Sequence, residues 1–380
     1  MKTLILSFKI FLAISIILYF HFGCISNEKT QLKQSRNIDT LFVGLDVLEE
    51  NDFLELQGKK IGLITNHTGV NKSLVQNINI VLNSKNIELK AIFTPEHGLF
   101  GSRKAGEKII LNDERRMGIP VYSLYGETKK PKDIMLKNLD AIVFDIQDIG
   151  IRSYTYISTM GLAMEAAAEN GIEFIVLDRP NPLGLRKVEG NLLDTNFTSF
   201  IGKYPIPYVY GLTCGELAIM INEQGWLESK KCNLRVIKMK NYNRLKTYEE
   251  LDQEWIPTSP HVPHFNTPAY MVATGILGEL GVFSNGVGYT IPFRTIAAPW
   301  IDSELVAKKM NMLGLLGLKF KSIKYSPFYS LYKGESIEGI QIFITDLNKA
   351  NLILVQFYFL QIHQELYPDK NPFVLASKKN

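Results

Sequence analysis

Cysteine is scarce in this chain of 380 residues, which contains only Cys24, Cys214 and Cys232. Three cysteines cannot form the disulfide framework of a small secreted scaffold, so the fold must depend on a hydrophobic core. We predict a helix from Thr213 to about Trp226. At about 1.5 Å per residue it separates Cys214 from Cys232 by roughly 20 Å, whereas bridged Cα atoms lie within about 7 Å. The sequence therefore predicts two buried thiols rather than a disulfide.

An excess of charge of either sign is also lacking. The 42 basic and 38 acidic residues leave a formal net charge of +4. This balance is too mild and too evenly spread to indicate a nucleic-acid partner. Hydrophobic residues make up 46% of the chain and charged residues 21%. That composition supports a sizeable core and excludes a disordered chain, and the length is enough for two domains.

Two motifs of common α/β enzymes are absent. The first predicted strand is followed at residues 66–70 by Asn-His-Thr-Gly-Val, which contains a single glycine. Because a phosphate-binding loop needs several glycines, nucleotide binding is not expected. No Gly-x-Ser-x-Gly sequence occurs, so a serine hydrolase of the α/β kind is not expected either. We expect the protein to work without a cofactor.

The long apolar run of the sequence lies at the N-terminus. Lys2 precedes it, the run covers residues 10–20, and Cys24 directly follows a glycine and precedes a polar stretch. The run is short for a membrane-spanning helix and is typical of a signal peptide, here residues 1–24. The cysteine predicts lipid attachment at Cys24, and an ordinary signal peptide with a chance cysteine is the alternative. We expect an exported envelope protein, anchored by lipid on the periplasmic side or at the outer membrane, with residues 25–39 as a tether.

From residue 40 onward, predicted strands alternate with helices or long crossovers. Because these strands are continuous apolar runs, they favour a parallel sheet that is covered on both faces. We predict a doubly wound α/β domain over residues 40–240 and a smaller C-terminal α/β or α+β domain over 241–380. The predicted strands of the first domain are residues 60–65, 89–93, 119–124, 141–144 and 174–177, and a long helix covers about 154–169. The second domain is predicted to contain a strand at 337–345 and a helix at 353–366.

Polar side chains gather where the predicted strands end. Any single such end could be a helix cap or a turn, since Asp and Asn suit both. In an open parallel sheet, however, ligands bind beyond the carboxyl ends of the strands, so four polar ends on one rim predict a site. In chain order, the polar residues at these ends are Asn66, His67, Glu96, His97, Asp145, Gln147, Asp148, Arg152, Tyr154, Asp178, Arg179 and Asn181.

The residue types on this rim indicate the chemistry. Carboxylates and aromatic rings suit glycoside hydrolysis, which needs a proton donor at the leaving oxygen and stabilisation of an oxocarbenium-like centre. The same rim could instead hold a metal ion, with His67, His97, Asp145 and Asp148 as ligands. No pair of these residues has the i, i+4 spacing of common zinc motifs. We therefore expect no metal.

Several long motifs, in the same order, resemble those of the exo-β-N-acetylmuramidases of the NamZ type, a family formerly described as a domain of unknown function. The resemblance runs from about residue 40 to about 373. It implies a Rossmann-like catalytic domain, a smaller C-terminal domain and a site in the cleft between them. It also implies release of terminal N-acetylmuramic acid from a peptidoglycan-derived muropeptide or disaccharide with β-1,4 links. The matching stretches are residues 66–70, 95–98, 145–156, 177–182, 211–216, 292–293 and 298–300.

The chain departs from this family pattern in three places, the first being Tyr210 and Leu212, where His and Met are common. Residues 286–289 read Gly-Val-Gly-Tyr where many members have Gly-Arg-Gly-Thr, so one arginine contact to substrate is not expected here. The match ends near residue 373, and we expect a shortened C-terminal domain.

Residue roles follow from the resemblance and the chemistry together. Glu96 matches the family's favoured catalytic residue and is the predicted general acid, and His97 is expected to orient it or to contact the sugar. Asp145 and Asp148 are candidates for the second carboxylate, with attack by the substrate's own acetamido group as the alternative. Further predicted substrate-binding residues are Asn66, His67, Gln147, Tyr154, Asp178, Asn181 and Glu216.

Three points stay open at the level of sequence. Arg152 or Arg179 could hold the lactyl carboxylate of muramic acid by a two-pronged contact, or each could pair with a neighbouring Asp. Glu216 lies one turn into a predicted helix and could cap that helix instead of binding substrate. The function itself has two rivals: a metal-dependent hydrolase of the envelope, and a lipoprotein that binds muropeptides without cleaving them.

Overall fold

The computed structural model describes residues 40–103, 106, 115–116 and 118–378. The predicted signal peptide, the predicted lipidation site Cys24 and the predicted tether lie outside the described residues. From Leu41 onward the chain forms one compact unit. Within the described residues, no helix has the length and apolar character needed to cross a membrane.

The described residues contain ten strands and nine α-helices, with four short 3₁₀ turns between them. The strands are β1 Lys60–Thr65, β2 Glu88–Thr94, β3 Arg115–Arg116, β4 Ile119–Ser123, β5 Ala141–Asp145, β6 Glu173–Leu177, β7 Leu234–Ile237, β8 Thr295–Ala298, β9 Leu318–Tyr325 and β10 Ile337–Ile344. The helices are α1 Gly44–Glu50, α2 Asn77–Asn83, α3 Asp133–Leu136, α4 Tyr156–Asn170, α5 Cys214–Glu223, α6 Thr267–Glu279, α7 Ser303–Met312, α8 Leu352–Leu366 and α9 Pro372–Ser377.

The larger sheet has the order β3-β4-β2-β1-β5-β6-β7. Every neighbouring pair is parallel except β3 and β4, which are antiparallel. Without β3, the six parallel strands follow the order 3-2-1-4-5-6 of the Rossmann fold. The strand order reverses between β1 and β5, where Thr65 is in register with Asp145. The predicted doubly wound sheet is confirmed, and its ligand crevice is expected at this reversal.

The central strand β1 is buried on both faces because hydrophobic residues alternate between two cores. Ile61 and Leu63 face the core that α1 and α2 cover, whereas Ile64 faces the core that α4 and α5 cover. On β5, Val143 and Phe144 divide between the same two cores. Each such side chain contributes about 1.5–3 kcal/mol on full burial. The continuous apolar runs of the sequence are therefore explained by helices on both faces.

Two helix ends show how local sequence sets the limits of the elements. Helix α4 ends where Gly171 takes a left-handed conformation at φ 67°, which a glycine adopts without strain. Helix α5 begins after the N-cap Thr213, as predicted, but ends at Glu223, before the predicted Trp226, and Gly225 follows at φ 68°. Cys214 and Cys232 are both free and buried, as predicted.

The C-terminal part is built on a three-stranded antiparallel sheet of order β8-β10-β9. Helices α6, α7 and α8 pack against this sheet, and their apolar side chains belong to the same hydrophobic core as those of α4. Strand β10 and helix α8 confirm the two elements predicted here, whereas β7, β8, β9, α6 and α7 were not predicted. The smaller α+β part is confirmed, and a domain boundary at residue 240 stays a prediction.

Candidate active site

Glu96 lies directly beyond β2 and is 8% exposed. Its Oε2 accepts a hydrogen bond of 2.7 Å from the Thr155 hydroxyl, and its Oε1 accepts one of 2.9 Å from the Gly106 amide. Thr155 is the N-cap residue of α4, so the carboxylate lies at the positive end of a 15-residue helix. The Tyr125 phenol lies near Glu96: burial first, and then this carboxylate, raises the pKa of Tyr125 to about 12. Two hydrogen bonds, from Thr155 and Gly106, thus fix the carboxylate at the N-terminus of α4.

His97, the next residue, is held by its own loop. Its backbone is left-handed, at φ 71°, and its Nδ1 donates a 2.7 Å hydrogen bond to the Arg103 carbonyl. Because Nδ1 is the donor, Nε2 is the nitrogen left to interact elsewhere. The contact is the structural hydrogen bond of a strained turn, and it fixes the direction of the imidazole beside Glu96.

His67 and His261 lie close enough to His97 to be affected by its charge. His67 Nε2 donates to the Pro257 carbonyl at 2.5 Å, while its Nδ1 is buried without a hydrogen-bond partner. Burial lowers the pKa of His67, the Pro257 carbonyl opposes that effect, and His97 adds to it. Burial and then His97 lower the pKa of His261. The imidazoles of His67 and His261 therefore favour the neutral form more than an ordinary histidine does.

The segment carrying His261 links this rim to the C-terminal sheet. His261 Nε2 lies 2.9 Å from the Tyr329 hydroxyl, on the connection between β9 and β10. Two tyrosines of the α4 region fix the segment: Tyr154 donates to the Thr258 hydroxyl at 2.9 Å, and Tyr156 donates to the Thr258 carbonyl at 2.7 Å. The predicted substrate residue Tyr154 is 8% exposed, and its contacts are structural.

Asp145 and Arg179 form a buried ion pair. Arg179 Nε lies 2.6 Å from Asp145 Oδ1, with side-chain exposures of 6% and 0%. Asn77 donates to the other carboxylate oxygen at 2.7 Å, and Arg179 also donates to the Val70 carbonyl at 2.9 Å. The predicted second carboxylate and one predicted lactyl-binding arginine thus bond each other. These contacts favour the alternative that the sequence left open for Arg179.

Asp148 is a carboxylate of the rim whose pKa is raised by burial. Its Oδ2 accepts from the Gly150 amide at 2.7 Å and from the Tyr210 hydroxyl. Its Oδ1 is buried and makes no hydrogen bond, although the Ile149 amide lies nearby. Burial outweighs these contacts and raises the pKa of Asp148 to about 6. This carboxyl group therefore holds a proton more readily than an ordinary Asp.

Asp178 and Glu216 both accept hydrogen bonds from residues at the N-terminus of α5. Asp178 accepts from the Gly215 amide and the Thr213 hydroxyl, each at 2.8 Å, and burial raises the pKa of Asp178 to about 6. Glu216 accepts from the Thr213 amide at 3.0 Å in a capping box and pairs with Arg244. These contacts favour the capping role that the sequence left open for Glu216, and a role in substrate binding stays a prediction.

Three predicted polar residues satisfy the protein's own backbone or side chains. Asn66 accepts from the Thr68 amide at 2.9 Å and donates to Tyr156. Gln147 donates to the Asp148 and Pro180 carbonyls at 2.7 and 2.8 Å. Asn181 donates to the Leu212 carbonyl at 2.9 Å. All three side chains are buried, and their hydrogen bonds stabilise the loops at the strand ends. A role for them in substrate binding stays a prediction.

Arg152 is turned away from the carboxylates of the rim. Its guanidinium donates to the carbonyls of Asn191 and Ile206 at 2.8 and 2.6 Å and lies over the Tyr208 ring. The expected Asp partner is replaced by backbone carbonyls, so this arginine fastens the connection between β6 and α5. Within the described residues, no group of three His, Cys, Asp or Glu side chains is placed to hold a metal ion.

Sequence reasoning missed four groups that the fold brings to Glu96 or His97: Gly106, Tyr125, Thr155 and His261. Thr155 lies in a motif that had been singled out, and His261 lies in a proline-rich segment, so both carried a signal. Tyr125 follows β4 as an ordinary turn residue. The fold and the site together define a Rossmann-like protein in which a carboxylate is held by hydrogen bonds at the carboxyl edge of the parallel sheet.

Comparisons with known proteins agree with this class. The N-terminal model of the exo-β-N-acetylmuramidase NamZ family matches residues 61–266, and the C-terminal model matches 269–379. A peptidoglycan β-N-acetylmuramidase NamZ of Bacillus subtilis is 39% identical over 348 residues, which cover 92% of this chain and 82% of that protein. The chain belongs to the exo-β-N-acetylmuramidase NamZ family.

Solved structures support the same relationship. A DUF1343-family protein of Bacteroides fragilis is 49% identical and superposes with a TM-score of 0.83, covering 88% of this chain and 85% of that one. A second protein of that family and organism is 28% identical, with a TM-score of 0.69 and the same coverage. The predicted family is confirmed.

Proposed function

We propose that this protein is an exo-acting glycoside hydrolase that releases terminal N-acetylmuramic acid from β-1,4-linked peptidoglycan fragments. The observation that carries the proposal is the position of Glu96, held beyond the carboxyl end of β2 and at the head of α4. The activity named for the Bacillus subtilis relative supports it. Turnover of such fragments suits a role in cell-wall recycling.

In this proposal Glu96 donates the proton to the leaving oxygen. The Thr155 hydroxyl and the Gly106 amide hold the carboxyl group in one orientation and stabilise the carboxylate that remains. Asp145 is held in a buried ion pair with Arg179, and Asp148 is buried, with its Oδ2 bonded to Gly150 and Tyr210 and only its Oδ1 left without a partner. Those contacts favour attack by the substrate's own acetamido oxygen over attack by a second enzymic carboxylate.

A pair of chromogenic glycosides tests the proposed activity. The protein is expected to release phenol from the β-N-acetylmuramic acid glycoside and to leave the N-acetylglucosamine counterpart largely uncleaved, because only the first sugar carries the lactyl group. An assay in the presence of a chelator separates this enzyme from a metal-dependent hydrolase, which would stop. Binding of N-acetylmuramic acid without any release of phenol would instead support the non-catalytic muropeptide-binding protein.

We also propose that the protein is exported and held at the envelope by a lipid on Cys24. The support is the sequence: a lysine at the start, an apolar run and a cysteine after a small residue. The location matches the place where peptidoglycan fragments arise.

Cys24→Ser should move the protein from the membrane fraction to the soluble fraction, as followed by fractionation and immunoblotting. Cys214→Ser is the matched control, since that thiol lies buried in the fold and should leave the distribution unchanged. A Cys24→Ser protein that stays with the membranes would place the anchor elsewhere.

A further inference from the structure

A pocket of about 520 Å³ lies beside the candidate active site, between α4 and the segment that follows β6. Aromatic rings supply part of its wall: Trp226 is half-buried and stacks at 6.0 Å between ring centroids on Tyr204, which is 1% exposed, and Phe200 is half-buried at the edge. Leu162 of α4 and Pro205 add apolar surface. Flat apolar walls of this kind accept the ring face of a sugar.

Tyr125 lies between Glu96 and the pocket. Its phenol is close to the Glu96 carboxylate, and its ring lies 6.0 Å from that of Phe200, centroid to centroid. A phenol ring and a pyranose ring have similar size. One sugar lying along Tyr125 therefore spans the distance between Glu96 and the aromatic edge of the pocket.

The lysines at the pocket differ in their partners. Lys203 pairs with Glu228 at 3.4 Å, and Lys130, next to the pocket, pairs with Glu165 at 2.7 Å. Lys129 forms no ion pair with a described residue, and its Nζ stands 4.8 Å from the centre of the Phe200 ring. The edge of the pocket thus presents an ammonium group above an aromatic ring, which suits a sugar that carries a carboxylate.

We propose that this pocket binds the third sugar of a peptidoglycan glycan strand, counted from the end that is cleaved. The inference rests on the proposed function. In such a strand N-acetylmuramic acid alternates with N-acetylglucosamine, so the terminal muramic acid reacts at Glu96 and the neutral second sugar lies along Tyr125. The third sugar again carries a lactyl carboxylate, which Lys129 binds while Phe200 stacks on the ring. The enzyme therefore prefers longer glycans to the disaccharide.

The test compares peptide-free disaccharide and tetrasaccharide, both with N-acetylmuramic acid at the cleaved end. Wild-type kcat/KM is expected to favour the tetrasaccharide about 3- to 30-fold, the combined worth of one stacking and one exposed charge contact. Phe200→Leu should lower this preference about 2- to 10-fold. Lys129→Met should lower it about 2- to 5-fold, and less at high salt. Amidation of the lactyl carboxylate on the third sugar should remove the effect of Lys129→Met.

Matched controls lie a few residues away. Phe197→Leu changes a ring that is 74% exposed, and Lys132→Met changes an exposed lysine; both should keep the wild-type preference. A wild-type preference near one, or a preference that Phe200→Leu and Lys129→Met leave intact, overturns the assignment. So does a Lys129→Met effect confined to a peptide-bearing disaccharide, which would assign the pocket to the peptide.

Failure of the proposed function gives a different result. If the wild-type protein hydrolyses neither saccharide, the activity is wrong. Calorimetry then decides the pocket, because the same ratio can be measured as the affinity for tetrasaccharide over disaccharide. A tetrasaccharide that binds more tightly, by an amount that Phe200→Leu and Lys129→Met reduce, supports the pocket, and equal affinities overturn it.

Discussion

Glu96→Gln is expected to lower turnover of a β-1,4-linked disaccharide by about 10²–10⁴-fold, the usual contribution of general acid catalysis. The amide keeps the shape of the side chain, and its oxygen can still accept a hydrogen bond from Thr155 or Gly106. It cannot deliver a proton to the leaving oxygen. Steady-state rates on the natural disaccharide measure the effect, and affinity for free N-acetylmuramic acid should change little.

A glycoside with an activated phenol provides the internal control. Its leaving group needs less protonation, so Glu96→Gln should slow its cleavage less than that of the disaccharide. Glu127→Gln, at an exposed position two residues after Tyr125, is the matched control and should leave both rates unchanged. Equal losses on both substrates in a folded protein would make Glu96 a nucleophile or an orienting group. No loss on either would mean that the site lies elsewhere.

The parallel sheet was predictable because its signal is physical and local. A strand buried on both faces must be apolar over most of its length, and the central strands β1, β5 and β6 are apolar except at their ends. The elements that were missed lack that signal. Strand β9 alternates buried Leu318 and Phe320 with exposed lysines, and β7 is short and half-exposed. Helix α6 begins at Thr267 and has Pro268 in its first turn, where proline is accepted, so a residue that usually ends helices stands at the start of this one.

The sequence predicted where the polar residues of the site lie in the fold, but it did not predict which groups each side chain contacts. Sequence order located the polar residues at strand ends, since parallel strands share one carboxyl edge. Which of these residues face solvent depends on contacts between distant segments. Asp145 meets Arg179 across 34 positions, and Tyr154 meets Thr258 across 104. Contacts between residues so far apart leave no pattern in the sequence. A carboxylate that stabilises the fold and one that binds a ligand therefore cannot be told apart from the sequence.

Arg179→Met is expected to lower the free energy of unfolding by about 3–5 kcal/mol, because it leaves the Asp145 carboxylate buried without its charge partner. Asn77 would still donate one hydrogen bond to Asp145, which does not replace a cation at 2.6 Å from a carboxylate that is 0% exposed. Urea denaturation at neutral pH measures the change. Arg235→Met is the matched control: Arg235 pairs with Glu173 at 2.7 Å but is 53% exposed, so its loss should cost about 1 kcal/mol or less.

The double variant Asp145→Asn with Arg179→Met separates the missing charge from the missing side chain. It removes both charges, keeps the hydrogen bond to Asn77 and should recover a large part of the lost stability, since the penalty comes mainly from the unpaired carboxylate. Arg179→Met that costs no more than Arg235→Met would show that Asp145 has another source of compensation. If that variant instead stays stable and loses activity on N-acetylmuramic acid glycosides alone, Arg179 contacts the lactyl carboxylate, and the ion pair with Asp145 is the resting position of a substrate-binding group.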